Sequence, residues 1–319
     1  MRLLTFSVPD SGPGSGHERP ARLGVERDGL VVDLTALSAA AGVDLPDTLL
    51  GLIAAGPGAT AAVTALLGDV TPDALRRHGR APHEVTRHAP FRPGKIIGVG
   101  LNYRKHVAES HRSLDTDRDL PPRPVLFGKP GTAVTGPGAP VLHDGRLTSQ
   151  LDWECELAVV IGRTARGVGE DDAWDHVFGY SIVNDISARD QRRSGQWFFS
   201  KGQDSYAPFG PVVVTRDEIP RPMELDLSLR VNGEVKQDSN TRHMLFPIPR
   251  LIADISSGMT LEPGDVIATG SPDGVGAGFD PPQFLRPGDL VEATIESIGT
   301  LANPVTAVGG ATARDEVAR

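Results

Sequence analysis

LDWECELAVVIG, residues 151–162, opens a run of small and branched apolar residues with two carboxylates, Glu154 and Glu156, on either side of Cys155. The apolar part has the length and composition of a buried strand. Successive strand side chains alternate faces, so Glu154 and Glu156 point one way while Cys155 points into the opposite layer. Two ionised carboxylates that close repel, and partial burial raises their pKa values unless a cation neutralises them. A hard divalent cation resolves both problems, and Mg2+ suits an all-oxygen site with open positions better than zinc does. On spacing alone, the same Glu-x-Glu also fits the solvated face of an edge strand. A metal site needs a third ligand from another strand end, and GYSIVNDISARD (179–190) offers Asp185 where an apolar strand stops.

Outward from this strand, the composition from Lys95 onward is that of short β segments separated by Gly and Pro. KIIGVGL (95–101), PVLFGK (124–129), VFGYSIVND (177–185), FGPVVVT (209–215), LDLSLRVNG (225–233), GDVIATG (264–270), DLVEATIESIG (289–299) and TLANPVT (300–306) all fit. The fold class they predict is mixed and β-rich (α+β), with a rolled or sandwiched β domain. Asn232-Gly233 marks a type I′ hairpin, and helical patches interrupt the plan at NYRKHVAES (102–110), SARDQRR (187–193) and PIPRLIADISSG (247–258).

The first ninety residues read as a small α/β unit. RLLTF (2–6) and ARLGVERDGLVVDLTAL (21–37) predict strands, the second folded as a hairpin at Arg27-Asp28-Gly29, with the loop PDSGPGSGHERP (9–20) between them. Short helices follow over 45–56, 59–68 and 71–79, each with Asp or Thr near its start and Gly near its end. A chain of 319 residues exceeds the usual single domain, so we divide it as 1–90, 91–307 and a frayed tail over 308–319. One large β-rich unit with a small appendage is the alternative at this length.

Composition bounds the partners. A net charge of -9 with 39% hydrophobic and 23% charged residues describes an acidic globular protein and argues against a phosphate backbone as partner. No apolar run approaches the length of a membrane span, and the N-terminus lacks the pattern of a secretory leader, which predicts a cytoplasmic protein. Cys155 is the single cysteine, so an internal disulfide and a cysteine zinc site are both excluded.

Seven stretches in this order resemble the fumarylacetoacetate hydrolase family: GVGLNYRKHVAES (98–110), VLFGKPGTAVTGPGAPV (125–141), DWECELAVVIG, GYSIVNDISARD, WFFSKGQDSYAPFGPVV (197–213), LRVNGEVKQ (229–237) and GDVIATGSPDGVG (264–276). Together they span about Lys95 to Pro304. The resemblance implies that family's β-sandwich roll with a variable N-terminal cap. It also implies that Glu154, Glu156 and Asp185 hold Mg2+ or Mn2+, and that the substrate is a 2-oxo acid or its enol, gripped through carboxylate and keto oxygen. Carbon–carbon cleavage is the implied chemistry, as hydrolysis of an acylpyruvate or decarboxylation of an oxaloacetate-like acid. Hydratase or isomerase chemistry on the same platform, or silent binding of a small acid, are the rivals. A homodimer is expected on the same ground.

Other residues carry roles by the same resemblance. His106 and Glu109, three apart, share a face if their segment is helical, and the family carries such a pair as a general-base dyad on a segment that closes over substrate. Without the resemblance they are an incidental pair on an exposed helix. Lys201 matches a family lysine that steadies negative charge near the metal. Arg189 either contacts substrate or pairs with Asp190 or another surface carboxylate. Gly270 and Ser271 in the ATGSPDGVG loop are the remaining substrate-binding candidates, with Ser271 where Thr is commoner and Asp273 where a small residue is commoner. The stretch QRRSGQWFF (191–199) lies where family members vary in length and reshapes the pocket wall. His243 has no carboxylate at a recognisable spacing and is left as structural.

Overall fold

The computed structural model describes residues 1–9, 20–113, 120–193 and 195–309. Most of the expected N-terminal loop (10–19) and of the tail (310–319) lies outside the described residues. At the centre is the Cys155–Ile161 strand, buried at all of its positions. It runs antiparallel to Val177–Asn184 on one side and Val266–Ala268 on the other. These belong to a twelve-stranded sheet, which packs over a second, five-stranded sheet built from Glu234–Asn240, Asp226–Val231, Leu290–Ile295, Gly299–Ala307 and Val141–His143. The arrangement is the mixed, sheet-rich fold that the β pattern predicts.

Alternation along the central strand divides the interior. Leu157, Val159 and Ile161 enter a core shared with Leu229, Ala293 and Leu301 of the second sheet. Ala158 and Val160 face a second core with Leu52, Val63 and Phe209. Burying each larger apolar side chain contributes roughly 1.5–3 kcal/mol, so this strand is a poor place for movement. It is a good place to anchor charge.

The N-terminal residues add to the same sheet, because Arg2–Ser7 pairs antiparallel with Ala207–Thr215. Its neighbour Arg22–Arg27 turns back into Leu30–Asp33 through Asp28 and Gly29, both at positive φ (50 and 77), a type I′ turn where a hairpin was expected. Asn232 and Gly233 form the second such turn, at φ 52 and 81. The expected strand over 21–37 is too long, however: it stops at Asp33, and Leu34–Ala41 is a helix (α1). Asp33 ends the strand because its carboxylate caps the helix, accepting from the Ala36 N–H at 2.9 Å. The helices α2 (Leu49–Ala54), α3 (Pro57–Asp69) and α4 (Pro72–His78) follow where expected.

Three more helices serve the β domain: α5 (Arg104–Ser113), α6 (Trp197–Lys201) and α7 (Ile248–Gly258). SARDQRR corrects a second reading. Ser187–Ala188 is extended and pairs with Leu151–Asp152, and only Arg189–Gln191 makes a 3-10 turn. Backbone pairing to the segment before Glu154 outweighs the helical spacing there. Among the described residues, no helix is long and apolar enough to cross a membrane.

Candidate active site

Strand register assembles the carboxylates. Cys155 lies opposite Asn184, so Glu154 and Asp185 meet just beyond the paired ends. The Asp185 N–H donates to the Glu154 carbonyl at 2.8 Å, and the Asn184 side-chain oxygen accepts from the Glu154 N–H at 3.0 Å. Glu156, on the same face as Glu154, joins them, and ligand oxygens of all three lie within 4.8 Å of one another. Their exposures are 5%, 1% and 0% for Glu154, Glu156 and Asp185, which removes the solvated-edge alternative.

Cations surround two of the three. Lys201 Nζ donates to Glu154 at 2.9 Å, to Asp185 at 2.5 Å and to the Ser187 hydroxyl at 2.8 Å. Lys129 Nζ donates to the other Asp185 oxygen and to the Ile186 carbonyl. Arg189 donates to Glu154 at 2.6 Å and to Asp152 at 2.8 Å. Burial pushes the Glu154 carboxyl up, but the Lys201 ammonium and the Arg189 guanidinium more than offset this and hold it below the ordinary range. Glu156 differs: burial, then the charges of Asp185 and Glu154, raise it well above the usual value. It accepts a hydrogen bond from the Gly270 N–H at 2.8 Å. Such a buried, mutually repelling set is costly for folding alone. Three oxygen donors without His or Cys fit a hard divalent ion, which would remove the repulsion.

The second group arrives on α5. His106 Nδ1 lies 3.1 Å from Glu109 Oε2, and the two residues are only 5% and 7% exposed, so this is no incidental surface pair. Glu109 also accepts from the Gly274 N–H at 3.0 Å, which ties the helix to the glycine-rich loop. A Cβ at Gly278 would sit 2.0 Å from Glu109 Oε1, so the close approach requires glycine there. Asn102 roots the helix, donating to the Thr269 carbonyl at 2.7 Å and accepting from the Phe246 N–H at 2.8 Å.

His106, Glu154, Arg189, Lys201 and Ser271 line one cavity of about 30 Å3. Gly270 stands just behind it at φ 99, where a Cβ would meet Asn102 at 2.6 Å. Ser271 is oriented by Gln237 Nε2 at 2.8 Å, and the same Gln237 side chain accepts from the Cys155 N–H, linking the second sheet to the site. Five of the nine sequence candidates thus line this cavity, and Glu109, Asp185, Glu156 and Gly270 are joined to them through His106, Lys201, the carboxylate cluster and the Glu156–Gly270 bond. The Asp190 alternative for Arg189 is not realised, since Asp190 accepts from Thr148 and Ser149. His243 is exposed and lies near the Ser239 hydroxyl, outside the site.

Sequence reasoning passed over two charged residues. Lys129 is wholly buried against Asp185, and its signal was a lysine ending an apolar strand in VLFGK. Asp152 stands two before Glu154, on the same strand parity. Its oxygens accept from the Gly276 and Ala277 N–H groups at 2.6 and 3.0 Å and from Arg189, so it braces the loop and the arginine.

Comparison with known proteins follows the same lines. Residues 95–306 match the family described as Fumarylacetoacetate (FAA) hydrolase C-terminal. Oxaloacetate tautomerase YisK of Bacillus subtilis (strain 168) is 50% identical over 225 residues, which are 70% of this chain and 73% of that protein. The solved fumarylacetoacetate hydrolase of Exiguobacterium antarcticum superposes with a TM-score of 0.77 at 38% identity, covering 96% of this chain and 100% of that one. Maleylpyruvate hydrolase of Sphingobium sp. SYK-6, solved with manganese(II) and pyruvate, gives a TM-score of 0.74 at 33% identity over 96% of this chain and 99% of that one.

Proposed function

This chain belongs to the fumarylacetoacetate hydrolase family, and from that premise we propose a divalent-metal-dependent enzyme that interconverts the keto and enol forms of an oxaloacetate-type 2-oxo acid. The observation that carries the reading is a cavity lined by His106 and Glu154, behind which stand the rest of a buried imidazole–carboxylate pair and of a cluster of three buried carboxylates. Glu154, Glu156 and Asp185 would hold Mg2+ or Mn2+. When bound, the ion supplies Lewis acidity toward the keto oxygen and carboxylate of a 2-oxo acid.

The chain's own residues account for the rest. Glu109 engages His106 Nδ1 and leaves Nε2 to take a proton from the carbon beside the keto group or return it. Lys201, with a raised pKa from the Asp185 and Glu154 charges that outweigh its burial, stays an ammonium beside the developing enolate. The cavity is enclosed and lined by His106 of α5, and we propose that α5 acts as a lid that leaves the Gly274 loop to admit substrate and returns.

Carbon–carbon cleavage by hydrolysis or decarboxylation is the second reading, favoured by the likeness to the maleylpyruvate hydrolase. Keto–enol transfer takes precedence because it needs only the proton step assigned here to His106, and because YisK, at 50% identity, is named a tautomerase. The test follows enol and pyruvate in parallel with oxaloacetate as substrate. Enol interconversion should be fast, abolished by EDTA and restored by Mg2+ or Mn2+, with pyruvate release near background. Metal-dependent pyruvate release as the faster process would replace this reading by the second, and indifference to EDTA would end both.

A further inference from the structure

Leu101 stands at a strained point of the chain. Its φ is 58, in the left-handed region, and among the described residues it is the one apolar side chain there; the other non-glycine residues at positive φ are Asp28, Arg193, Ser205, Asn232 and Ser297. A leucine has no side-chain hydrogen bond with which to offset the crowding of its Cβ against the following carbonyl. The turn is imposed on it from both sides. Gly100 is paired with Val125 in the sheet, and Asn102 is fixed by its bonds to Thr269 and Phe246. Glycine would occupy such a turn at less cost, so the leucine side chain serves something that glycine cannot. Core packing is not that service, since Leu101 is half-buried and belongs to neither hydrophobic core. What it lines is the active-site cavity, together with Trp197. The indole is itself held in place: its ring centroid lies 5.3 Å from that of Phe127, and a Cβ at Gly100 would come within 2.7 Å of it.

We propose that Leu101 is a specificity-determining residue whose side chain, held in a left-handed turn and lining the cavity with the fixed Trp197 ring, limits the length of substrate that fits beyond the 2-oxo acid head, so that the site takes a four-carbon 2-oxo dicarboxylic acid and turns away its longer homologues. The proposal rests on the function inferred above for the head of the substrate. The head needs the carboxylate cluster and its ion, which any 2-oxo acid can engage, so discrimination must come from elsewhere in the lining. A side chain on a backbone pinned at both neighbours yields little to an oversized ligand, and one methylene too many against such a wall weakens binding tenfold or more. The backbone strain at Leu101 is what keeps that side chain in the cavity.

Binding, exchange and melting together test it on the full chain loaded with Mn2+, in the wild type, Leu101→Ala and Leu101→Gly. Affinities for oxaloacetate and for 2-oxoadipate, which keeps both carboxylates and adds two methylenes, are measured by calorimetry, and proton–deuterium exchange at C3 of each is followed by NMR. The wild-type protein should favour oxaloacetate by about tenfold to two-hundredfold. Both variants should bring that ratio toward one, chiefly by strengthening 2-oxoadipate. The two variants differ in strain alone. At an ordinary position glycine is the less stable of the pair, whereas here Leu101→Gly should melt about 2–4 °C above Leu101→Ala, because only glycine relieves the left-handed turn. A ratio unaltered in both variants, or an equal loss of affinity for both acids, would overturn the proposal, and Leu101→Ala melting above Leu101→Gly would overturn the strained turn on which it stands. A length preference that both variants abolish, without any catalysed exchange in the wild type, would instead overturn the enolisation reading and leave Leu101 in its role.

Discussion

The carboxylate cluster and the His106–Glu109 pair are both buried and both polar, yet they are held in opposite ways. Glu154, Glu156 and Asp185 issue from the ends of two central strands whose register, backbone bonds and packed apolar faces allow no movement without opening the core. His106 and Glu109 ride on α5, a polar helix that Glu109 fastens to the Gly274 amide and Asn102 roots at its start. The difference teaches a division of labour. The carboxylates sit on the sheet, whatever their desolvation costs, and the imidazole–carboxylate pair sits on a helix docked through side-chain bonds to loop backbone.

The most severe way to break this comparison acts on the sheet side. Asp185→Asn removes one charge of the carboxylate cluster while both lysines remain against it. Mn2+ binding should be lost from calorimetry, and enolisation should fall to the uncatalysed background, a drop of about a thousandfold or more given the several kcal/mol a Lewis acid supplies. Wild-type Mn2+ affinity in this variant would mean that the cluster is not the metal site.

His106→Gln strikes the helix side with a smaller effect. Turnover should fall about 10²–10⁴-fold, the usual worth of a positioned acid–base group, while the Mn2+ dissociation constant stays within about twofold. This split separates the two regions in one measurement. Were metal affinity to fall with turnover, His106 would act with the carboxylate cluster rather than apart from it.

Much of this was legible in the sequence, for physical reasons that also mark where it stopped. The I′ turns at Asp28-Gly29 and Asn232-Gly233 demand positive φ, and the residue pairs announce it. Glu154 and Glu156 share a face because strands alternate. What alternation cannot supply is the partner across the sheet, so Lys129 beneath Asp185 and Asp152 against Arg189 went unread. Asp33 misled for a local reason: the same residue that can end a strand also caps a helix, and LTALSAAA after it satisfies the second role. The reaction itself was the least legible part. Cleavage and tautomerisation share an enolate, and a carboxylate cluster suited to one is suited to the other.

Gly278→Ala should have the smallest effect and discriminates most finely. Gly278 is not at a positive φ, so alanine is accepted by the backbone and the strain falls on what its methyl meets. That neighbour is the Glu109 carboxylate, with Oε1 at 2.0 Å and Cδ at 2.2 Å from the added carbon. Glu109 must retreat, and with it go the bond to the Gly274 amide and the one to His106. A charge-assisted hydrogen bond is worth about 1.5–3 kcal/mol, so turnover should drop about tenfold to a hundredfold, with faster amide hydrogen exchange confined to α5. The sheet should not notice: Mn2+ affinity and the unfolding midpoint should stay close to wild type. Full activity in this variant would show that docking through Glu109 is dispensable, and protection lost throughout the sheet would show that helix and strands are one cooperative unit after all.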